Sequence, residues 1–187
     1  MRNLIMVIII AVAFTFALAG CGEAEVPPET QVNAEPQVLS DEIIEHLYLR
    51  AWTLYSWFAL TTIPYIDFED SAPSDDWWGS RVTHETFTTM GTLQSALEAL
   101  FAPDIVDELL ALDRFREYDG ILYTIAADRG TRIDLGEETH EIIRVSTNEI
   151  IYRVTVEVLG YDDVEVSDFH LVYTYNNWIF NNFHLVR

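Results

Sequence analysis

The sequence predicts an α+β domain in which N-terminal helices pack on one face of a curved antiparallel β-sheet meander. Between residues 41 and 112, apolar residues recur at the spacing of amphipathic helices. From residue 115 onward they follow the period of two that is typical of strands, and turn-forming residues separate the segments at short intervals. Helices followed by a run of strands indicate an α+β fold, and we expect a single such domain over residues 40–187.

Three helices are predicted ahead of the strands, over residues 41–60, 92–101 and 103–112. Ser40 is a good N-cap for the first helix, since its hydroxyl can accept a hydrogen bond from the first turn. Thr92 is the expected cap of the second helix. The third helix begins with a proline. Proline suits the first helical turn because a backbone N–H at that position would have no partner within the helix.

The connection over residues 61–92 is long, and it carries an acidic run at 67–70 followed by Asp75, Asp76, Trp77 and Trp78. Loops of this length are often functional. Adjacent tryptophans beside acids can stack on sugar rings. The alternative, which the residue types favour, is that they fold back and close the edge of the core.

The strand region begins with a hairpin signal, because Asp119-Gly120 lies between two short apolar runs and this dipeptide favours a two-residue turn. At the end of the chain, Asn176-Asn177 is the expected turn, which places Tyr175 opposite Trp178. The strands expected from the alternation are 115–118, 121–124, 139–146, 149–159, 164–175 and 178–186.

No arrangement of residues predicts catalysis. The register of the last hairpin places His170 and His184 on opposite faces of the sheet, and the other histidines lack the spacing of metal ligands. There is no GxSxG motif and no glycine-rich phosphate loop. We therefore expect no enzyme activity, no metal and no cofactor.

Acidic residues dominate the charge. The chain has 31 acidic residues against 10 basic ones, and every basic residue is an arginine. Such a surface repels nucleic acid and anionic lipid, and it attracts basic partners most strongly at low salt. The alternative is that the acids serve only to solvate the protein.

The first 20 residues have the pattern of a signal peptide. Arg2 precedes an apolar run over residues 4–18, which is too short for a comfortable membrane span. The run ends in Leu18-Ala19-Gly20-Cys21, which resembles the lipobox of bacterial lipoproteins. That resemblance implies cleavage before Cys21. Since the signal peptide carries Arg2 and no acid, cleavage changes the formal charge from −21 to −22.

The lipobox also implies a diacylglyceryl group on the sulfur of Cys21, and two acyl chains suffice for stable anchoring. Residues 21–39 are rich in proline and glutamate and contain no aromatic residue, which predicts a disordered tether. We therefore expect an extracytoplasmic protein, anchored to the cell membrane or to an outer membrane if the host has one.

Two further features have both a structural and a functional interpretation. The loop from Asp128 through Arg129 and Gly130 to Arg132 can be a structural turn or can present its arginines to a partner. One face of the last hairpin can be a ligand-binding surface, although a core packed by the helices is the favoured use. Its expected members are Phe169, Tyr173, Tyr175, Trp178, Phe180, Asn182 and His184.

Several short segments between Ile43 and Val186 together resemble the sequence of a known protein family. They are Leu100-Phe101, Ile105-Val106-Asp107, Tyr118-Asp119-Gly120-Ile121-Leu122-Tyr123, Ala127-Asp128-Arg129-Gly130, Ile151-Tyr152-Arg153-Val154-Thr155-Val156 and Trp178-Ile179-Phe180. This run resembles the IseA-like family of secreted bacterial proteins, whose namesake inhibits the DL-endopeptidases that cut peptidoglycan stem peptides. The closing strand also resembles the NTF2-like cone fold.

The IseA-like resemblance implies a non-catalytic module that blocks the basic catalytic cleft of an NlpC/P60-type cell-wall hydrolase. Asp119, Gly120, Asp128, Arg129 and Gly130 match the shared segments and are the candidate contact residues, together with Arg132. The lipobox departs from the family, whose namesake is freely secreted. The NTF2-like resemblance implies the alternative, a small-molecule-binding lipoprotein with a pocket on the sheet.

Replacing Cys21 with serine removes the thiol that accepts the lipid. Cells fed labelled fatty acid should therefore no longer label the protein, and the protein should leave the membrane pellet. Gln31→Ser, in the predicted tether, is the matched control and should keep both properties. A Cys21→Ser protein that stays in the pellet would contradict lipid anchoring.

Overall fold

A computed structural model describes residues 36–66, 71–126, 130, 132, 134–161 and 163–186. Three helices and seven strands form an α+β fold, which confirms the predicted class. One hydrophobic core joins the helices to both sheets. In the described ranges, no helix combines the length and the apolar character needed to cross a bilayer.

The helices are α1 (Asp41–Ala59), α2 (Met90–Glu98) and α3 (Pro103–Leu110). The predictions for α1 and α3 are confirmed to within two residues. As predicted, the Ser40 hydroxyl caps α1, where it accepts a hydrogen bond from the N–H of Ile43 at 3.4 Å. The buried apolar residues of α1 recur at helical spacing and are Ile44, Tyr48, Ala51, Leu54 and Phe58.

The predicted bounds of α2 are wrong at both ends. Thr89 is the N-cap, and its hydroxyl accepts from the N–H of Thr92 while the Thr92 hydroxyl accepts from the N–H of Thr89. Thr92 is therefore the third residue of the helix and forms a capping box with Thr89. At the other end, Phe101 leaves the helix and bridges to Phe180 in a parallel arrangement, so tertiary pairing replaces the last helical turn.

The strands form two sheets, not one meander. β1 (Ser80–Arg81), β2 (Phe115–Tyr118) and β3 (Ile121–Thr124) form a small sheet in the order β1-β3-β2. The predicted β2–β3 hairpin is confirmed, and its two turn residues, Asp119 and Gly120, have φ values of 49° and 76°. The expected loop 61–92 supplies β1, which pairs with the free edge of β3 and so completes this sheet.

The larger sheet has the order β4-β5-β6-β7 and is antiparallel throughout. Its strands are β4 (Leu135–Ser146), β5 (Glu149–Val158), β6 (Val164–Thr174) and β7 (Asn177–Phe180). β4 begins four residues earlier than residue 139, where the sequence placed its start. β5 and β6 agree with their predicted bounds to within one residue.

The last hairpin differs from its prediction. Its turn residues are Tyr175 and Asn176, with φ values of 50° and 62°, so Tyr173 faces Trp178. The last strand stops at Phe180 and does not extend to residue 186. The reason lies in Asn182, whose side-chain amide accepts from the N–H of His170 at 2.6 Å and donates to the carbonyl of Asp168 at 2.7 Å. The side chain of Asn182 thus bonds to the backbone of β6 at the place where a longer last strand would have paired with it.

The inner face of the larger sheet is filled by protein side chains. The ring of Tyr48 on α1 stacks on Tyr152 at 4.4 Å between centroids and lies 5.5 Å from Phe169. Phe169, Trp178 and Phe180 are buried, which confirms the core interpretation of this face. Three of its expected members, Tyr175, Asn182 and His184, are not part of that core. Tyr175 lies at the turn with 90% of its surface exposed, and His184 is exposed beyond the end of β7.

Truncation of Phe169 tests this packing, because the side chain is fully buried against Tyr48 and Phe183. Phe169→Ala should lower the free energy of unfolding by about 3–5 kcal/mol. Val166→Ala is the control on the same strand. Val166 is 54% exposed, and its loss should change the free energy of unfolding by less than about 1 kcal/mol. Guanidinium unfolding followed by tryptophan fluorescence measures both, and equal effects would contradict the core assignment.

Candidate functional site

The structure places the predicted contact residues at separate points of the domain. Asp119 and Gly120 are exposed at the tip of the β2–β3 hairpin. Cys21, Asp128 and Arg129 lie outside the described residues. Gly130 is exposed, and the guanidinium of Arg132 donates to Asp134 and Glu165 at 2.7 Å. Arg132 therefore ties its loop to β6.

Several other arginines are also paired with acids of the same domain. The guanidinium of Arg153 holds the pKa of Asp168 below its usual value through the hydrogen bonds that it donates. The pairs are Arg116 with Asp113 at 2.6 Å, Arg144 with Asp41 at 2.5 Å, and Arg153 with Asp168 at 2.7 Å. Four arginines of the described part of the chain are thus neutralised by acids at the surface of the domain, and no described acid is buried.

The two adjacent tryptophans have different environments. Trp77 is buried, its indole N–H donates to the carbonyl of Asp113 at 3.3 Å, and the guanidinium of Arg116 lies 5.3 Å from its ring. Gly79 is required beside it, since a Cβ there would lie 2.1 Å from the Trp77 ring. Trp77 therefore folds back onto the domain, as the favoured interpretation expected. Trp78 is 82% exposed.

A groove of about 390 Å³ lies between α2, α3 and the β6–β7 turn. Clefts that hold small ligands or a few side chains range from about 300 to 1,000 Å³. Apolar side chains are grouped in it with carboxylates and the exposed ring of Tyr175. The lining residues are Gln94, Glu98, Phe101, Pro103, Val106, Asp107, Thr174, Tyr175, Asn177 and Ile179. We call this surface the α2–α3 groove.

Tyr175 is the most unusual residue of the α2–α3 groove. A positive φ is disfavoured for a bulky side chain, and glycine or asparagine normally occupies such a turn position. The turn is held from both sides by the pairing of Thr174 with Asn177 and by a hydrogen bond of 2.9 Å from the Asn177 side chain to the carbonyl of Ala99. Tertiary contacts therefore hold an exposed aromatic ring at the groove.

The charge of the α2–α3 groove is negative, since Glu98 and Asp107 line it and none of the lining residues is basic. Gln94 donates to Glu98 at 2.7 Å and so orients that carboxylate. Asp104 and Glu108 extend the acidic surface of α3 and are exposed. The prediction missed this site because it assigned Tyr175 to the inner sheet face. The acids at 104, 107 and 108, at helical spacing, were the available signal of an exposed face.

A second groove of about 370 Å³ follows the outer side of α1 and contains Arg50 among apolar residues. Its aromatic part is a cluster of Trp57, His84 and Phe87, with ring centroids 4.8–5.5 Å apart. The cluster has a local structural role, because His84 accepts hydrogen bonds from the N–H groups of Thr86 and Phe87.

One polar cluster at the edge of the core has the residue types of a proton relay, and only its tyrosine is buried. The hydroxyl of Tyr152 lies 2.8 Å from Nδ1 of His140, whose Nε2 lies 3.3 Å from Glu138. Burial raises the pKa of Tyr152 to about 12, with smaller contributions from Glu45 and Glu138. Tyr152 is only 2% exposed beneath Tyr48, so a substrate cannot reach it. The cluster therefore joins β4 to β5, with Tyr152 in the core and His140 at the exposed surface of β4.

No protein-family model matches the chain, and no curated protein matches it in sequence. Within the described part of the chain, no three His, Cys, Asp or Glu side chains come together as a possible metal site.

The raised pKa of Tyr152 predicts a specific alkaline titration. Because the folded pKa of about 12 exceeds the usual value of 10.0, this phenol favours the folded state below pH 10, and that contribution is lost as the pH rises towards 12. Ultraviolet difference spectra of the wild type minus Tyr152→Phe should show one tyrosine that ionises near pH 12. An ionisation near pH 10 would contradict the buried position.

Proposed function

We propose that this chain is an extracytoplasmic lipoprotein, anchored by lipid on Cys21, whose domain is a non-catalytic module that binds a basic protein surface. The Leu18-Ala19-Gly20-Cys21 sequence supports the anchor. The proline- and glutamate-rich part of the predicted tether suits a spacer between the membrane and the domain. The predicted end of that tether at residue 39 is wrong, because the carbonyl of Gln37 accepts a hydrogen bond from the indole N–H of Trp178 at 3.2 Å and Leu39 is buried in the core.

The observation that carries the proposal is the distribution of charge. The arginines at 116, 132, 144 and 153 are each paired with acids of the same domain. The acids of α3 have no basic partner among the described residues, which leaves a surface complementary to a basic one. Such complementarity accelerates association and excludes acidic partners.

The resemblance to the IseA-like family supports a partner class, the NlpC/P60-type DL-endopeptidases of the cell wall. In this proposal the domain competes with the substrate for a basic catalytic cleft, and its anchor keeps it at the membrane where wall precursors emerge. Asp119 and Gly120 lie at an exposed hairpin tip, and Gly130 of the shared segments is also exposed.

The alternative, a small-molecule-binding lipoprotein, places its ligand on the inner face of the sheet. Tyr152, Val154, Phe169 and Phe180 of that face are buried against the helices. This packing favours the binding module over the pocket.

Inhibition of a purified NlpC/P60-type DL-endopeptidase tests the proposal. The chain, in nonionic detergent, should raise the KM for a stem-peptide substrate and leave kcat unchanged, because it competes for the cleft. The effect should weaken as salt rises above about 0.15 M.

Two controls separate specific inhibition from the general effect of a polyanion. One is polyglutamate of matched charge, and the other is a basic wall hydrolase of unrelated fold. Unchanged hydrolysis at micromolar protein, or equal inhibition by polyglutamate, would count against the proposed partner.

A further inference from the structure

We infer that the α2–α3 groove is where the domain receives an arginine or lysine side chain of its protein partner. This inference rests on the proposed function and names the contact that the binding module uses. It depends on three properties of the groove: an apolar lining, two carboxylates and an exposed aromatic ring.

The apolar part suits the stem of a long basic side chain. Pro103 is the exposed apolar residue of the lining, and Phe101, Val106 and Ile179 behind it are nearly fully buried and belong to the domain core. Arginine and lysine combine an apolar stem with a charged end, and they commonly bury the stem along such a surface. An aspartate or glutamate would bring too short a stem and the wrong charge.

The carboxylates suit the charged end. Glu98 and Asp107 are on different helices, so they line the groove from two elements. With no basic lining residue to neutralise them, their charge is available to a cation from outside. Hydrogen bonds between a guanidinium or ammonium group and a carboxylate are about twice as strong as neutral ones.

The ring of Tyr175 supplies the third property. It makes no ring contact or hydrogen bond with the described residues, and it is 90% exposed. A cation over an aromatic face is attracted by the negative charge of the ring face. An exposed ring beside two carboxylates is a suitable surface for a cation, whereas the domain itself makes no use of it.

Blocked tripeptides with a central arginine, lysine or citrulline are the probes. Citrulline has nearly the shape of arginine but no charge, which makes it the matched control ligand. In NMR titrations of the isotope-labelled chain in detergent, the arginine and lysine peptides should shift the amides of residues 98, 107 and 175 saturably. Citrulline should shift them at least about tenfold more weakly, because it lacks the charge-assisted hydrogen bonds.

Three variants localise the binding. Glu98→Gln with Asp107→Asn should weaken arginine-peptide binding by about tenfold. Glu85→Gln with Glu137→Gln removes the same charge at exposed residues outside the groove and should leave the affinity within about twofold. Tyr175→Asn keeps a residue that tolerates positive φ, so the fold should be at least as stable while affinity falls about threefold.

The outcomes separate this inference from the proposed function. Saturable arginine binding at the groove without hydrolase inhibition would support the groove and reject the DL-endopeptidase as partner. Inhibition that survives the Glu98/Asp107 double variant unchanged would overturn the groove and leave the proposed function intact. Equal binding of citrulline, or shifts spread evenly over the acidic surface, would also overturn the groove.

Discussion

The packing of α1 on the inner face of the larger sheet determines which other residues are available to solvent. Tyr48 is central to it, since its ring stacks on Tyr152 and contacts Phe169 and Phe183. Because side chains alternate along each strand, burying Tyr152 and Phe169 turns their neighbours Arg153 and Asp168 to the outer face. There the two residues form an ion pair. The larger sheet thus carries the aromatic core on its inner face and charged residues on its outer face.

The ion pairs affect the charge distribution of the surface more than the stability of the fold. An exposed pair contributes about 0–1 kcal/mol, so the few arginines add little to the stability of the fold. Their positions matter because the paired ones, Arg116, Arg132, Arg144 and Arg153, neutralise acids of the larger sheet, of α1 and of nearby loops. The acids of α3 are left without such neighbours among the described residues, and their negative charge lies beside the α2–α3 groove. This arrangement links the unusual composition to a particular surface of the domain.

Local signals predicted most of the elements but not how they associate. The cap at Ser40 and the Asp119-Gly120 turn act over a few residues, and both predictions are confirmed. The prediction placed the cap of α2 at Thr92, whereas Thr89 is the N-cap and Thr92 bonds back to it from the third helical position. Both threonines take part in the cap, and the backbone conformation decides which of them is the N-cap. The last turn was misplaced because asparagine suits it at several positions. The pairing of Tyr173 with Trp178 and the hydrogen bond from Asn177 to α2 outweigh the local preference against a left-handed tyrosine.

The sequence by itself determined the fold class, the acidic charge, the positions of α1, α3 and the β2–β3 hairpin, and the expectation of a lipid anchor at Cys21. These follow from periodicity, composition and short motifs, which depend on residues close together in the chain. Only the tertiary structure decided that the strands divide into two sheets, that Trp77 is buried while Trp78 is not, and that Tyr175 lines the same groove as Glu98 and Asp107. Residues far apart in the chain make these contacts, and their energies depend on packing and register that no local pattern encodes.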